Sequence, residues 1–342
     1  MVGQIANDTT IHWGGLADRV LAGSPLTDTE ALSVLECSDD ELLDLLANVY
    51  RVRRHYFGKT VQLYFLMNAK SGLCPEDCGY CSQSKNSKAE IPKYNLLDEK
   101  RLLDGAREAF ARGSKTYCIV ISARGPSEKE VAAVTEIVPK IKAQYDLKIC
   151  ACLGLLTPGQ AADLKRCGVD RVNHNINTSE NYYGQICSTH TYQDRIDTLE
   201  AVRKAGLEIC SGGIIGMGEQ PSDVVRMAFA LRDVGAESIP INFFNPIDGT
   251  ALADTWLLTP QYCLKVLAMF RLVNPDREIR VAGGRELHLG SLQPLALYAA
   301  NSIFVGDYLT TKGQLPETDR QMIEEMGFEV TRDETFVPQK DG

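Results

Sequence analysis

Residues 61–81, VQLYFLMNAKSGLCPEDCGYC, join an apolar run to a loop that contains three cysteines. The run from Val61 to Leu66 predicts a β-strand, because β-branched and aromatic residues favour a pleated, buried backbone. Cys74, Cys78 and Cys81 follow with the spacing C-x3-C-x2-C, so one short loop can bring three thiols to one metal centre. The sequence therefore predicts a strand that leads directly into a metal-binding loop.

The number of cysteines in this loop restricts the metal chemistry. A structural zinc site needs four ligands, and a simple electron-carrying iron-sulfur cluster needs four thiolates. The next cysteine in the sequence is Cys118 and the nearest histidine upstream is His55. A cluster with three thiolates leaves one iron open, and the spacing resembles that of the radical SAM superfamily, in which the open iron binds S-adenosyl-L-methionine (SAM). A zinc loop, a redox thiol pair and chance clustering are the alternatives.

The composition indicates a globular protein that acts on a small molecule. The chain has 342 residues, of which 44% are hydrophobic and 24% charged, enough for one barrel-type domain or two ordinary domains. The net charge of -9 and the pI near 5.2 argue against a nucleic-acid partner.

The location of the protein is also predicted from the sequence. No run approaches the ~18 apolar residues of a membrane span, and the first residues, MVGQIANDTTIHW, lack the layout of a signal peptide. These features predict a cytoplasmic protein with no membrane partner. Its eleven cysteines are then expected to stay reduced.

The first part of the chain has helical patterning. Thr27-x-x-Glu30 and Ser38-x-x-Glu41 have the pattern of capping boxes, and each precedes apolar residues at helical spacing. Cys37 lies there and is interpreted as a buried small hydrophobic residue. The predicted division is an N-terminal helical extension at 1–55, a barrel at 56–310, and a polar C-terminal tail at 311–342 that packs outside or is mobile.

From Val61 onward, strand and helix patterns alternate. Glycines at 113, 168, 206 and 235 each follow a helical pattern and precede a new apolar run, as helix-terminating glycines do. Ser127-x-x-Glu130, Thr157-Pro158-x-Gln160 and Thr259-Pro260 predict helix starts. The eight predicted strands lie near 61–66, 116–121, 148–152, 171–175, 208–214, 238–243, 278–282 and 302–305. This alternation predicts an α/β fold, a closed (β/α)8 TIM-type barrel, and not an open doubly wound sheet.

Several cysteines fall on the predicted strands. In such a barrel the active site lies at the C-terminal ends of the strands, and alternate side chains point inward. Strands two, three and five contain Cys118, Cys150, Cys152 and Cys210. Three of these could converge inside the barrel, although cysteine is also an ordinary core residue. Cys150 and Cys152 share a face, so the spacing leaves the choice between them open. The helix, helix-end and loop cysteines are Cys167, Cys187 and Cys263.

Polar residues interrupt three of the predicted core strands. The segment 173–177, Asn-His-Asn-Ile-Asn, ends strand four, Asn242 lies in strand six, and Arg280 lies in strand seven. Buried amides and guanidinium groups need partners, which at a barrel mouth are usually ligands. The alternatives are structural amides in turns and an arginine that faces solvent. The glycine-rich run 212–218 is not a dinucleotide-binding pattern, and its glycines could let backbone approach a ligand.

Taken together, these motifs resemble the biotin synthase family, from about Val49 to about Gly327. Each motif is moderately specific, and their number and order make the resemblance strong. The motifs are GLCPEDCGYCSQS, KTYCIVISARGPS, KICACLGLL, VNHNINTS, TYQDRIDTLEAVRKAGLEICSGGIIGMGE, IPINFFNPIDGTALA, IRVAGGRE and LYAANSIFVGDYLTT.

The resemblance implies two iron-sulfur clusters. Cys74, Cys78 and Cys81 match the ligands of the SAM-binding 4Fe-4S cluster. A second, 2Fe-2S cluster would be held inside the barrel, and the resemblance selects Cys150 over Cys152 for it. The implied ligands of this second cluster are Cys118, Cys150, Cys210 and Arg280.

The resemblance also implies residues that bind SAM and the substrate. Arg195 matches the residue that contacts the SAM carboxylate, Asn175 lies between SAM and substrate, and Asn242 holds the ring of dethiobiotin. Asn177 stands where many family members have an aspartate for the SAM ribose. Gly213 and Gly216 are predicted to contact the cofactor through their backbone.

The implied activity is that of a sulfurtransferase in biotin biosynthesis. SAM is cleaved to methionine and a 5′-deoxyadenosyl radical, which takes hydrogen from dethiobiotin, and the second cluster supplies the sulfur. The implied partners are a flavodoxin- or ferredoxin-type electron donor and a second copy of the chain in a homodimer. The alternatives are another radical SAM enzyme, such as one that assembles a hydrogenase cofactor or rearranges an amino acid, and an iron-sulfur carrier or scaffold.

Overall fold

The computed structural model of the chain describes residues 12–256 and 258–331. The first eleven residues of the predicted helical extension and residues 332–342 of the predicted tail lie outside the described residues. Elements are numbered in chain order.

Parallel strands form a closed barrel, as the alternation predicts. Each strand pairs with the next in the order β1-β2-β3-β4-β5-β7-β8-β9, and β9 pairs back onto β1 through Gln62 and Ser302. The barrel strands are β1 (Thr60–Lys70), β2 (Thr116–Ile121), β3 (Lys148–Cys152), β4 (Arg171–Asn173), β5 (Glu208–Cys210), β6 (Gly213–Ile215), β7 (Ser238–Phe243), β8 (Glu278–Val281) and β9 (Ser302–Phe304).

The predicted strand at 208–214 is divided in the structure into β5 and β6, and both pair with β7. Gly212 lies in the break, where a Cβ atom would come to 1.8 Å from the carbonyl oxygen of Pro240. The backbone therefore passes β7 too closely there for any residue but glycine. Together, β5 and β6 occupy the position of one of the eight strands of the barrel.

Helices surround the barrel and follow the strands. They are α1 (Trp13–Leu21), α2 (Asp28–Glu36), α3 (Leu42–Phe57), α4 (Glu99–Ala111), α5 (Glu128–Gln144), α6 (Pro158–Arg166), α7 (Glu180–Ile186), α8 (Tyr192–Lys204), α9 (Pro221–Asp233), α10 (Pro260–Val273), α11 (Arg285–Leu289) and α12 (Pro316–Glu325). Two 3-10 helices lie at Asp39–Glu41 and Gly290–Tyr298. All four predicted helix-terminating glycines have positive φ, between 68° at Gly113 and 97° at Gly168.

Most of the predicted helix starts are confirmed. Capping boxes begin α2 at Thr27, α5 at Ser127 and α6 at Thr157. The capping box predicted at Ser38 is wrong, because Ser38 caps a 3-10 helix and its hydroxyl accepts from the backbone of Asp40. The tighter 3-10 turn places that nearer amide within reach of the hydroxyl, and α3 begins only at Leu42.

The helices α1 to α3 cover the N-terminal ends of the strands. The buried guanidinium of Arg53 on α3 donates to the carbonyl of Thr60, where β1 begins, and to that of Ala300, just before β9. Lys265 on α10 donates to the carbonyl of Cys37. The helical extension therefore packs against the end of the barrel that is opposite the cysteine loop.

The described part of the predicted tail forms regular structure outside the barrel. After α12, the strand β10 (Glu329–Thr331) pairs in parallel with the first residues of β1. Because β1 already pairs with β2 and β9 further along its length, β10 extends the sheet without entering the barrel.

The close approach at Gly212 gives a stability prediction. We expect Gly212→Ala to lower the free energy of unfolding by about 1–3 kcal/mol, because the added methyl group overlaps the Pro240 carbonyl. Urea unfolding followed by circular dichroism measures this change. The control is Gly184→Ala in α7, where no atom lies within 4 Å of the added Cβ and the protein should be as stable or more stable. Equal effects of the two substitutions would contradict the prediction.

Candidate active site

Two adjoining cavities open at the C-terminal ends of the barrel strands. The inner cavity, about 300 Å³, is lined by Cys118, Cys150, Cys210 and Arg280, and the outer cavity, also about 300 Å³, by the cysteine loop. The side chains that line both cavities are those of Tyr80, Val120, Cys152, Asn173, Asn175, Ile214, Asn242 and Leu309. A molecule bound in one cavity is therefore adjacent to a molecule bound in the other.

The cysteine loop, residues 74–81, places Cys74, Cys78 and Cys81 together on the wall of the outer cavity. The loop is anchored to a second segment, residues 187–190, which follows α7. The carboxylate of Asp77 accepts from the backbone amides of Ser188 at 3.0 Å and Thr189 at 3.2 Å. Burial would raise the pKa of Asp77, but hydrogen bonds from the side chains of Ser188, Thr189 and Cys187 and from the Ser188 amide lower it. The loop is therefore fixed by protein contacts that do not involve its thiols.

In the sequence, no other cysteine or histidine lies near the loop. In the folded chain, one cysteine and one histidine from a distant segment lie beside it. Cys187 Sγ lies 3.7 Å from Cys78 Sγ, and His190 Nδ1 lies 3.3 Å from Cys187 Sγ. The Cys78 thiol donates to Cys187, which raises the pKa of Cys78 and lowers that of Cys187 to about 4. A separation of more than 100 residues hid this contact, because α7 and its following segment return to the loop only in the folded chain.

Arg195 on α8 lies beside the cysteine loop and is 8% exposed. Its guanidinium donates to the carbonyl of Asn175 at 2.8 Å and to Nε2 of His190 at 2.8 Å, and it also donates to the hydroxyl of Tyr183. Because His190 Nε2 accepts this bond, its Nδ1 carries the proton and donates to the carboxylate of Glu76. The arginine is therefore held at the wall of the outer cavity in a defined orientation.

The asparagines that follow β4 line the same wall. The Asn175 side-chain oxygen accepts from the backbone of Gly212 at 3.1 Å, and the Asn177 amide donates to the hydroxyl of Tyr80 at 2.6 Å. Tyr80 lies between Cys78 and Cys81 in the sequence, so this hydrogen bond connects Asn177 directly to the cysteine loop. Asn177 has φ of 69°, a left-handed conformation that asparagine tolerates better than most residues.

Three thiols meet inside the barrel. Cys118 on β2 and Cys150 on β3 are neighbours in register, and Cys210 joins them from β5 in a cluster with Tyr64. We name Cys118, Cys150 and Cys210 the inner thiol cluster. Contact with Cys118, together with burial, raises the pKa of the Cys150 thiol well above its ordinary value. Three of the strand cysteines thus lie together in the barrel, which is one of the two outcomes that the sequence left open.

The structure separates Cys150 from Cys152 although both lie on β3. Cys150 is fully buried and packs with the other two thiols. Cys152 lies two residues nearer the C-terminal end of β3 and lines both cavities. Of the two cysteines on β3, Cys150 is therefore the one that contacts Cys118 and Cys210.

Arg280 points into the barrel and does not face solvent. Its guanidinium lies 3.7 Å from Cys210 Sγ and donates to Ser238 at 2.6 Å and to the Glu278 carboxylate at 2.5 Å. Its Nε atom has no hydrogen-bond partner within the described ranges. The guanidinium is therefore buried next to the Cys210 thiol and keeps one N–H group that no described protein atom accepts.

A layer of charged residues lies next to the inner thiol cluster, and the sequence analysis missed it. The Glu278 carboxylate accepts from Arg280, from Arg171 at 3.1 Å and from the Tyr64 hydroxyl at 2.6 Å, while Arg171 also pairs with Glu208. Burial alone would raise the pKa of Glu278, but the two guanidinium groups lower it to about 2. The spacing of Glu278 and Arg280 at i and i+2 on a strand is the signal that places both on the inner face.

Asn242 and the two glycines are explained in part by contacts within the protein. The Asn242 side chain donates to the carbonyl of Gly213 at 3.1 Å and accepts from the amide of Gly283 at 3.0 Å, and it lines both cavities. A Cβ on Gly213 would meet Met227, and one on Gly216 would meet Leu258. Gly216 also has φ of 100°, a conformation that favours glycine. Neither glycine is among the described residues that line the two cavities.

Comparison with known proteins identifies the class that this fold and site define. Residues 70–231 match the radical SAM superfamily, and residues 240–329 match the Biotin and Thiamin Synthesis associated domain. Methylornithine synthase has the same fold, with a TM-score of 0.80 at 19% identity over 92% of this chain and 97% of its own. An FeFe-hydrogenase maturase from Carboxydothermus hydrogenoformans gives a TM-score of 0.78 at 17% identity over 93% and 79%. The chain is a member of the radical SAM superfamily.

Proteins of similar sequence show which family within this superfamily the chain belongs to. The chain is 63% identical to the biotin synthase of Rhodopirellula baltica over 94% of this chain and 89% of that protein. It is 58% identical to the biotin synthase of Geobacillus thermodenitrificans over 93% and 96%, and 55% identical to that of Bacillus subtilis over 93% and 95%. The chain belongs to the biotin synthase family. In the part of the chain that the structure describes, no helix has the length and apolar character needed to cross a membrane.

The buried carboxylate gives a prediction about stability and pH. We expect Glu278→Gln to lower the free energy of unfolding by about 3–5 kcal/mol, because two buried guanidinium groups lose their shared counter-charge. The wild-type advantage should persist above pH 4.5 and decline as the pH falls towards 2, where the folded carboxylate takes up its proton. Urea unfolding of both proteins across this pH range tests both statements.

Glu208→Gln is the matched control for this prediction. The Glu208 side chain is 36% exposed, and Arg171 keeps Glu278 as a partner when Glu208 is changed. We expect its effect to be about 1 kcal/mol or less. A loss as large as that of Glu278→Gln would contradict the prediction, because burial of the carboxylate would then make no difference to its effect.

Proposed function

We propose that this protein inserts sulfur into dethiobiotin to form biotin, with the two cavities as its active site. The observation that supports this best is the inner thiol cluster, which lies with Arg280 on the wall of a cavity that adjoins the cysteine loop. The radical SAM loop alone would fit many reactions. A second set of three thiols beside it fits a reaction that also needs a sulfur source.

The cysteine loop would hold a 4Fe-4S cluster through Cys74, Cys78 and Cys81. Three thiolates on one anchored loop fit that cluster with one iron left open for SAM. When bound together, the cluster and SAM supply a 5′-deoxyadenosyl radical, which can take hydrogen from an unactivated carbon. The protein's part is to hold both reactants in one orientation and to exclude water from them.

The residues beside the loop would bind SAM. The Arg195 guanidinium is held by Tyr183, His190 and the Asn175 carbonyl, so it can present positive charge to a carboxylate without a large rearrangement. Asn177 is tied to Tyr80 and keeps its side-chain oxygen for a ribose hydroxyl. Gly213 and Gly216 would act only through their backbone.

The inner thiol cluster would hold a 2Fe-2S cluster through Cys118, Cys150, Cys210 and Arg280. The three thiols fit such a cluster because they lie together in the barrel, and the Arg280 guanidinium lies 3.7 Å from the Cys210 sulfur. The role of arginine as the fourth ligand comes from the family resemblance. When bound, this cluster supplies the sulfur atom. Glu278 and Ser238 hold the guanidinium in place, and the buried position keeps solvent from the thiols.

Asn175 and Asn242 would bind the substrate where the two cavities adjoin. The ureido ring of dethiobiotin offers two N–H donors and one carbonyl. Each amide side chain uses part of its hydrogen-bonding capacity on backbone and retains the rest. A substrate between the cavities would have SAM on one side and the sulfur source on the other.

Two further partners complete the proposal. An electron donor of the flavodoxin or ferredoxin type would reduce the 4Fe-4S cluster, and two copies of the chain would form a homodimer. Both come from the family resemblance and from no residue of the structure.

Anaerobic incubation with SAM, a low-potential reductant and dethiobiotin tests the proposal. We expect both biotin and 5′-deoxyadenosine, measured by mass spectrometry. An iron-sulfur carrier would bind iron and give neither product. A radical SAM enzyme with another substrate would give 5′-deoxyadenosine without biotin.

The cysteine loop gives the first functional prediction. Cys74→Ala, Cys78→Ala and Cys81→Ala should each abolish formation of 5′-deoxyadenosine while leaving the barrel folded, because the loop adds little to the core and is anchored through Asp77. Chromatography of the products and circular dichroism measure the two effects. Cys263→Ala, a buried change in α10, is the control and should retain the activity. Retained SAM cleavage in any loop variant would exclude the assignment.

The inner thiol cluster gives the second functional prediction. Cys150→Ser should lose biotin formation and keep SAM cleavage, whereas Cys152→Ser on the same strand should keep both, because only Cys150 packs with the other two thiols. Product analysis after a single turnover measures this difference.

Isotope labelling tests whether the inner site is the donor. Protein whose inner cluster is rebuilt with labelled sulfide should give labelled biotin in the first turnover. Unlabelled biotin from protein that demonstrably carries the label would mean that the sulfur comes from elsewhere.

A further inference from the structure

One reactive side chain at the site has no part in the proposed function. Cys187 ends α7, is buried with only 7% exposed, and belongs to none of the assigned ligand sets. Its Sγ lies 3.7 Å from that of Cys78, which is equally buried. The pair therefore joins an unassigned thiol to one that the proposed function needs as a ligand.

The backbone around this pair is already fixed at close range. The amide of Gly79 donates to the carbonyl of Ile186 at 2.8 Å, so the peptide units next to Cys78 and Cys187 face each other. The Asp77 carboxylate bonds to the amides of Ser188 and Thr189, which holds the same two segments on the other side. None of these contacts uses the sulfur atoms, so they hold the two thiols together independently of any cluster.

This arrangement suits a disulfide. A disulfide needs an S–S distance of about 2.05 Å and Cα atoms that are about 4.4–6.8 Å apart. The Sγ–Sγ distance of 3.7 Å and the backbone hydrogen bond from Gly79 to Ile186 show that the two chain segments already lie at close range. Rotation of the two side chains can then close the remaining gap without unfolding either segment.

We propose that Cys78 and Cys187 form a reversible disulfide when the protein lacks its 4Fe-4S cluster. The proposal rests on the proposed function for the role of Cys78 as a cluster ligand. The disulfide removes one of the three ligands, so the cluster cannot assemble until a thiol reductant opens the bond.

The oxidant is a peroxide, and the reaction balances. One thiol attacks the O–O bond of hydrogen peroxide, which gives a sulfenic acid and one water. The second thiol displaces the sulfenic oxygen, which leaves as a second water when the S–S bond forms. The two sulfur atoms lose two electrons in total, and the peroxide gains them. A dithiol reverses the step by exchange and is itself oxidised to a disulfide.

Disulfide mapping tests the pair directly. Full-length protein is stripped of iron, treated with one equivalent of hydrogen peroxide, alkylated and digested with trypsin. We expect a linked peptide pair, lighter by two hydrogen atoms, that joins residues 71–85 to residues 172–195, and fragmentation should place the bond on Cys78. Placement on Cys74 or Cys81, or the absence of this link, would overturn the proposal.

Cluster assembly tests the consequence. The comparison uses a background with Cys118→Ser, Cys150→Ser and Cys210→Ser, so that only the 4Fe-4S cluster can form. After peroxide, protein with Cys187 should fail to gain the visible absorbance of the cluster from iron and sulfide, and dithiothreitol should restore it. The same protein with Cys187→Ser should gain the absorbance after peroxide as well as before it.

Controls separate this proposal from the proposed function. Cys263→Ser, a buried change in another helix, should leave the sensitivity to peroxide as it is in the parent. Peroxide-treated parent that assembles its cluster normally would overturn the disulfide proposal alone. Reduced parent that never assembles a cluster would contradict the ligand role of Cys78, while the mapped link would still decide whether the disulfide forms.

Discussion

Closure of the barrel is the constraint on which the rest of the structure depends. When β9 pairs with β1, strands that are distant in the sequence surround one enclosed space, and their alternate side chains must share it. Tyr117 shows the alternation, since its hydroxyl reaches outward to α4 while the next residue, Cys118, faces inward. The enclosed space holds the inner thiol cluster together with Tyr64, and Phe304 packs against them.

The charged layer shows how the barrel tolerates such an interior. Arg171 and Arg280 are both buried, and an unpaired guanidinium there would be costly. One carboxylate, Glu278, serves both, and the Tyr64 hydroxyl and Ser302 complete its hydrogen bonds. This arrangement also fixes Arg280 beside Cys210. The ion pair with Glu278 therefore both neutralises the buried charge of Arg280 and positions this proposed ligand.

The cysteine loop depends on a different kind of support. It is irregular, yet its position is set by Asp77 and Gly79, which bond to the segment after α7. Because this support does not use the loop thiols, the site can exist before a cluster is bound. The same support brings Cys187 to Cys78, which links assembly of the metal site to the oxidation state of a thiol outside it.

The sequence by itself determined the class of fold and most of the proposed site. The positions of helix-terminating glycines and capping residues are local, so they predicted the alternation of strands and helices and hence the barrel. The spacing C-x3-C-x2-C is also local, and the motifs in order indicated the family. The division of one strand at Gly212 and the 3-10 turn at Ser38 escaped the pattern, because a close approach to Pro240 and a tighter turn leave little trace in residue type.

Only the tertiary structure decided which distant residues meet. Spacing left Cys150 and Cys152 equivalent, and packing against Cys118 and Cys210 distinguished them. The sequence placed Cys187 more than 100 residues from Cys78, and a backbone contact after α7 made them neighbours. Such contacts depend on how helices return to the barrel mouth, which follows from the packing of the whole chain and not from any local pattern.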